Sequence, residues 1–200
     1  IEEETTEDME KMAAIVPSDK PYMKTSVWDT FKKRIPWLLL LMISATFTGS
    51  IITSFEDALS AYVALTAFIP MLMDTGGNAG GQASVTIIRG LSLGEITYHD
   101  VPRVIFKEVR VALLCGVALA GANFCKLMIF DRVGVAVALV VCITLVAAVV
   151  LAMIIGCILP VVAKRIGFDP AVMASPFITT IVDALSLLVY FQVATVLLGI

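Results

Sequence analysis

VGVAVALVVCITLVAAVVLAMIIGCILPVVA, running from Val133 to Ala163, carries no charged side chain. A helix needs about 20 apolar residues to cross the roughly 30 Å hydrocarbon core of a bilayer. This run is longer than that, and it reads as a membrane span. Asp131 and Arg132 precede it, and Lys164 and Arg165 follow it. Beyond Lys164, a further span runs from Ala171 to the end of the chain, with Asp183 as its only charge and Pro176 in its first turn. Upstream, Val111–Phe130 is apolar with Lys126 close enough to its end to snorkel. A polar connector from Arg89 to Arg110 precedes that. Ala58–Ile88 is a second span interrupted by the glycine-rich Thr75–Gly81, and Ile35–Phe55 is the first, closed by a tight turn at Glu56 and Asp57. The expectation is an all-α integral membrane protein with five transmembrane helices per protomer, the second broken by its glycines.

Composition agrees. Of 200 residues, 59% are apolar and 16% charged, with a mean hydropathy of +0.96, against about 45–50% and about 25% in soluble domains. A disordered chain, a nucleic-acid binder and an ordinary soluble enzyme are excluded. The acids Glu2, Glu3, Glu4, Glu7, Asp8 and Glu10 crowd the first ten residues. Two regions are therefore expected: an acidic helix with a basic linker over 1–34, and a five-helix transmembrane domain over 35–200. Thr5-x-x-Asp8 caps a short helix from Glu7 to about Val16 in one reading, with Met9, Met12 and Ile15 or Val16 on one face. A solvated linker is the other. No cleavable signal is visible, and a chain that opens on Ile inside an acidic run reads as the C-terminal piece of a longer protein.

With five spans the termini lie on opposite sides of the membrane. Lys32, Lys33, Arg34, Arg89, Arg103, Lys107, Arg110, Lys164 and Arg165 fall on the N-terminal side, as do the more distant Lys11, Lys20 and Lys24. Only Lys126 and Arg132 fall on the other. The positive-inside rule puts the N-terminus in the cytoplasm and the C-terminus outside. Cys115, Cys125, Cys142 and Cys157 have neither disulfide nor zinc spacing, and His99 is the lone histidine.

Two carboxylates fall inside the hydrocarbon, where charge is costly and marks a functional site by default. Counted by helical rise, Asp74 lies roughly 24 Å in from one face and Asp183 roughly 10 Å in from the other, so the two share a depth. On the last span Thr179, Asp183, Ser186 and Tyr190 recur on one face. On the second, Tyr62, Thr66, Pro70 and Asp74 are spaced by four, and Asn78 extends the row. Thr180 adjoins the first set. Hydroxyls on such faces otherwise bond helix carbonyls, but the two acids favour a cation path.

Asp74-Thr-Gly-Gly-Asn-Ala-Gly-Gly-Gln82 holds four glycines in six residues, which should unwind a helix and free carbonyls for an ion. A G-x-x-x-G packing face (Gly76–Gly80, Gly77–Gly81) is the alternative. The ligands on offer are carboxylate, amide, hydroxyl and carbonyl, which suit Mg²⁺, Ca²⁺ or Mn²⁺ rather than zinc or copper. There is no P-loop.

Taken together, these residues resemble the membrane domain of the MgtE magnesium channel family. The resemblance is carried by Pro70 through Gln82, Arg89-Gly-Leu, and Asp169-Pro-Ala through Tyr190. It implies a homodimer in the bilayer, with a pore at the subunit interface lined by the second and fifth spans. The pore carboxylate corresponds to Asp183, and Gly77 and Thr179 correspond to positions that act mainly through carbonyls. Gly81 stands where some members have Asn, and Asp74 where some have a small neutral residue. In the family, cytosolic N and CBS sensor domains precede this region, and an acidic plug helix helps close the pore. Glu4-Thr5-Thr6-Glu7-Asp8 resembles that plug, which makes Glu4, Glu7 and Asp8 candidate regulatory metal ligands.

The expected function is Mg²⁺ entry down its electrochemical gradient, with a hydrated ion held at Asp183. Metal ligands are expected from Asp183, Gly77, Thr179, Asp74 and Asn78, and pore lining from Thr66, Pro70, Thr180, Ser186 and Tyr190. One protomer supplies too few groups to enclose an ion, so a two-fold pore is expected from the residues as well. The rival readings are proton-coupled divalent transport, an intramembrane aspartyl protease built on Asp74-Thr-Gly, and a structural membrane subunit.

Overall fold

Five helices of 24 to 31 residues carry the fold of the computed structural model, which describes residues 7, 9–13, 15–17, 22–173 and 175–199. In chain order α1 is Val27–Ser54, the short α2 is Glu56–Ala61, α3 is Ile69–Ser92, α4 is Val101–Lys126, α5 is Val135–Arg165 and α6 is Ser175–Leu198. Among the described residues there is no strand. Four segments are long and apolar enough to cross a membrane: Val27–Ser54, Val101–Asp131, Val135–Arg165 and Pro176–Leu198. The chain is an integral membrane protein. α3 is long enough too, but Asp74, Arg89 and its glycines make it less apolar than the rest.

α5 is apolar all round, and such a helix belongs in the middle. It packs against α3, α4 and α6, while α3 and α6 also pack on each other. Val149, Ala152 and Cys157 on α5 close with Ala83 and Ile87 on α3 and Ile178 and Val182 on α6. α1 contacts mainly α6, and Leu38, Met42, Ile43 and Phe47 are open on its surface. Its start is capped by Ser26, whose hydroxyl accepts from the Asp29 N–H at 3.1 Å.

The glycine-rich stretch does not unwind: α3 runs through it without a break. Each helical glycine costs about 1 kcal/mol against alanine, and here the cost is offset by close packing. Gly76 faces Val182 and Ser186, Gly77 faces Thr179, and Gly80 faces Ile178 and the Ala152 carbonyl. Small residues let backbones approach in a membrane, so the packing alternative is the one realised. The irregular backbone lies earlier. α2 ends at Tyr62, and Val63–Phe68 forms a 3-10 turn that leads into α3, where Pro70 sits in the first turn. Pro70 explains the position, since it has no N–H to give and cannot continue a preceding helix.

A non-helical segment at membrane depth must have its polar groups satisfied by protein. Tyr190, 0% exposed, donates its hydroxyl to the Leu65 carbonyl at 2.9 Å, which pins the 3-10 turn to α6. Tyr190→Phe should lower stability by about 1–3 kcal/mol, because it leaves that carbonyl unpaired. Thermal unfolding in detergent would show this as a lower midpoint, and an unchanged midpoint would remove the pin.

The connector is shorter than the sequence suggested. α3 extends to Ser92 and α4 begins at Val101, so Arg89, Arg103, Lys107 and Arg110 are helical. Gly94 (φ 71°) ends α3 in the left-handed region. α1 begins eight residues before Ile35 and takes in Lys32, Lys33 and Arg34 with Pro36. Lys126 pairs with Asp131 at 2.7 Å.

Candidate cation site

α3 has two faces. Leu72, Gly76, Gly77, Ala79, Gly80, Ala83 and Ser84 are buried, whereas Asp74, Asn78, Gln82, Thr86 and Arg89 are exposed on the protomer surface. Thr66 and Pro70 continue the exposed row upstream. A spacing of four along a helix, with a last step of three, makes this one polar stripe. Gln82, Thr86 and Arg89 extend the row beyond the expected site residues, at positions that the same spacing reaches from Asn78.

The stripe is brought beside α6 by the glycine contacts. Gly80 meets Ile178, Gly77 meets Thr179 and Gly76 meets Val182. This antiparallel register puts Asp183 level with residues 74–75, and the Asp74 charge acts on it. The two acids therefore share a level along the packed helices, with α3 unbroken through its glycines.

Asp183, Thr179 and Thr180 are half-buried. Both threonine hydroxyls donate to the Pro176 carbonyl, at 2.9 and 3.0 Å. Their protons are thereby turned away and their oxygen lone pairs remain as acceptors. Asp183, Asp74, the two threonine hydroxyls and the Asn78 amide all carry oxygen, the hard donor type that suits Mg²⁺ or Ca²⁺. Among the described residues no three of His, Cys, Asp and Glu come together. On a single protomer the stripe lies open on the surface.

Two expected lining residues do not belong to it. Ser186 is 1% exposed and packs under Gly76, and Tyr190 is the pin described above. Both are enclosed within the protomer. Gly77 is buried against Thr179, so its role here is to let α3 approach α6. With α3 unbroken, its carbonyl lies within regular helix.

At the end of the bundle where α6 begins, Asp169 accepts from Lys11 at 2.6 Å and from the Ala171 N–H at 2.9 Å. Lys11 also pairs with Glu7 at 2.7 Å. The acidic segment is thus tied to the α5–α6 loop, and Lys33 adds a bond to the Pro17 carbonyl at 2.8 Å. Glu7 and Met9–Met12 are helical, but residues 15–17 are not, and Met9 is 65% exposed. The helix is therefore shorter than the sequence suggested, and Met9 does not form a buried face. Glu4 and Asp8 lie outside the described residues.

Partial burial alone would raise the Asp169 carboxyl, but the Lys11 bond and the Ala171 N–H outweigh it and hold it below the usual range. Asp169 and Glu7 together hold Lys11 above its ordinary value. A carboxyl held low contributes stability that is present above its unfolded value and lost as pH falls through the folded one. The tie should loosen in acid, below about pH 4. Its strength is modest, about 0–1 kcal/mol for so exposed a pair. Asp169→Asn should therefore raise amide hydrogen exchange in residues 7–13 at neutral pH, and unchanged exchange would contradict the tie.

The MgtE family model, described as a divalent cation transporter, matches residues 69–193. That range holds all of α3, α4 and α5 and most of α6. The chain belongs to the MgtE family. It is 35% identical over 204 residues to a magnesium transporter MgtE of Thermus thermophilus, covering 99% of this chain and 44% of that protein. With the Bacillus subtilis magnesium transporter MgtE the identity is 37%, over 96% of this chain and 42% of the relative. The Enterococcus faecalis MgtE is 29% identical over 98% of the chain and 42% of its own length. The chain spans less than half the length of these curated relatives. MgtE is a family of transporters, and the Asp74-Thr-Gly triplet that suggested a protease lies mid-helix in α3.

Proposed function

We propose that this chain forms the pore of a Mg²⁺ channel, assembled from two copies, that carries magnesium into the cytoplasm down its electrochemical gradient. The observation that carries this reading is the polar stripe of α3 lying level with Asp183 on a protein otherwise apolar at that depth. The names of the relatives, magnesium transporters, supply the ion. A second copy related by a two-fold axis would double Asp183 and Asp74 and cover the open stripe. In this reading all five long helices span the bilayer, with the N-terminus cytoplasmic. Residues 1–34 are the regulatory connection to sensor domains of a longer chain, with Glu4, Glu7 and Asp8 as candidate regulatory ligands. Residues 35–200 are the pore.

Mg²⁺ gives up water reluctantly and demands near-octahedral ligands at about 2.1 Å when it does. Asp183, Thr179, Thr180 and Asn78 offer no such cage. The ion is held through its water, with carboxylates and hydroxyl oxygens as outer-shell acceptors. Ca²⁺ and Mn²⁺ are the natural competitors.

The proximity of Asp74 and Asp183 also favours a second reading, proton-coupled divalent transport, since two nearby carboxylates can share a proton. Reconstitution in liposomes separates the two. Mg²⁺ entry driven by voltage alone supports the channel, a required pH gradient supports coupling, and no flux overturns transport by this chain. Topology has its own test: thiol labelling of Gly199→Cys in intact cells should come from outside, and labelling from the cytoplasm alone would invert the orientation.

A further inference from the structure

We propose that the cleft between the α3–α4 loop and the end of α5 holds an anionic phospholipid, its phosphate on Arg165 and His99 and an acyl chain along α5. The cleft has a volume of about 560 Å³ and is lined by Tyr98, His99, Val101, Ile158, Val161, Val162 and Arg165. Its chemistry is graded along the helix axis. Arg165, Tyr98 and His99 stand at one end, and Ile158, Val161 and Val162 form the other. From Ile158 to Arg165 the helical rise is roughly 10 Å, which matches the step from headgroup phosphate into the upper acyl region.

The apolar end is unfilled by protein, with Ile158 38% and Val162 44% exposed. Nor is the cationic end neutralised. Among the described residues the Arg165 guanidinium makes no ion pair or hydrogen bond. Its neighbour Lys164 turns inward instead, donating to the Leu91 carbonyl at 2.9 Å. In the loop, Asp100 accepts from the Thr97 hydroxyl and N–H at 2.6 and 3.0 Å and its charge acts on Arg103 and His99, and neither Asp100 nor Glu95 pairs with Arg165. Glu108 acts on Cys157, which is buried and does not line the cleft. An unpaired guanidinium and an imidazole lining the same cleft, with apolar residues along the rest of it, suit a phosphodiester attached to a hydrocarbon chain. Tyr98 supplies an aromatic ring at the headgroup level.

The test uses the delipidated chain in detergent, supplied with phosphatidylglycerol, phosphatidylcholine or inorganic phosphate. Bound lipid is counted by native mass spectrometry and the unfolding midpoint is recorded. Phosphatidylglycerol should be retained several-fold over phosphatidylcholine and should raise the midpoint. Arg165→Gln should abolish that preference and His99→Gln should reduce it, while Lys107→Gln, outside the cleft, should leave it intact. Equal retention of the two lipids, or a preference that survives Arg165→Gln, would overturn the proposal. A midpoint raised by millimolar inorganic phosphate as much as by lipid would also overturn it, in favour of a free-anion site.

Discussion

Asp183→Ala is expected to reduce selective Mg²⁺ flux by more than about 100-fold in liposomes carrying equal amounts of folded protein. A divalent ion ~5 Å from one carboxylate, in an effective dielectric of ~20, gains about 7 kcal/mol of attraction. That attraction offsets part of the cost of bringing the ion into the membrane, and in a two-fold pore it is lost twice. A loss of only about 2.7 kcal/mol already corresponds to 100-fold. Asp183→Asn keeps shape and polarity but loses the charge, so its flux should also fall severely. Asp74→Asn should be milder. Asp74 is exposed on the stripe, where water screens it, whereas Asp183 is half-buried beside two threonine oxygens. Wild-type flux from Asp183→Ala would move the site elsewhere, and a severe loss from Asp74→Asn with Asp183→Asn spared would reverse the ranking.

Gly156→Ala should have the largest effect on the fold. A Cβ there would collide with the Gly80 carbonyl oxygen and sit 3.1 Å from the Ala83 Cβ. The first of these is backbone of a regular helix, so α3 and α5 must separate. Overpacking of this kind costs about 1–3 kcal/mol or more. Because α3 also carries the polar stripe, flux should fall with stability. Gly80→Ala should be less severe, since its nearest neighbours, the Ile178 Cγ2 methyl at 2.8 Å and the Ala152 carbonyl oxygen at 3.0 Å, leave more room. Gly121→Ala meets nothing within 4 Å and should not lower the midpoint, since alanine is the better helix former. Unfolding midpoints in detergent check all three, and a Gly156→Ala midpoint equal to that of wild type would show that the close approach is not needed.

The contrast among these glycines explains where sequence reasoning stopped. Apolar length alone located α5 to within two residues at each end, and Pro176 marked the first turn of α6. The four-residue row through Thr66, Pro70, Asp74 and Asn78 was also legible, because helical spacing is a local property. The fate of Gly76–Gly81 was not, since a run of glycines unwinds or packs according to what stands opposite. Ile178, Thr179, Val182 and Ala152 stand opposite, and all are distant in sequence. Tyr190 failed for the same reason. It shares a face with Asp183 by spacing, yet the Leu65 carbonyl that claims its hydroxyl belongs to a turn that hydropathy cannot show. Pro70 was the available sign of that turn. The Lys11–Asp169 tie joins segments that carry no common pattern, so only the folded chain reveals it.

If the α3 stripe faces the ion path, a thiol reagent attached at position 78 must block it. Asn78→Cys is introduced with the four native cysteines replaced by alanine, and Mg²⁺ flux is measured before and after a bulky, positively charged thiol reagent. Asn78 lies one turn from Asp74 on the exposed face. The account predicts that modification stops the flux and that high Mg²⁺ slows the modification. Full labelling of the introduced thiol with flux unchanged would contradict it.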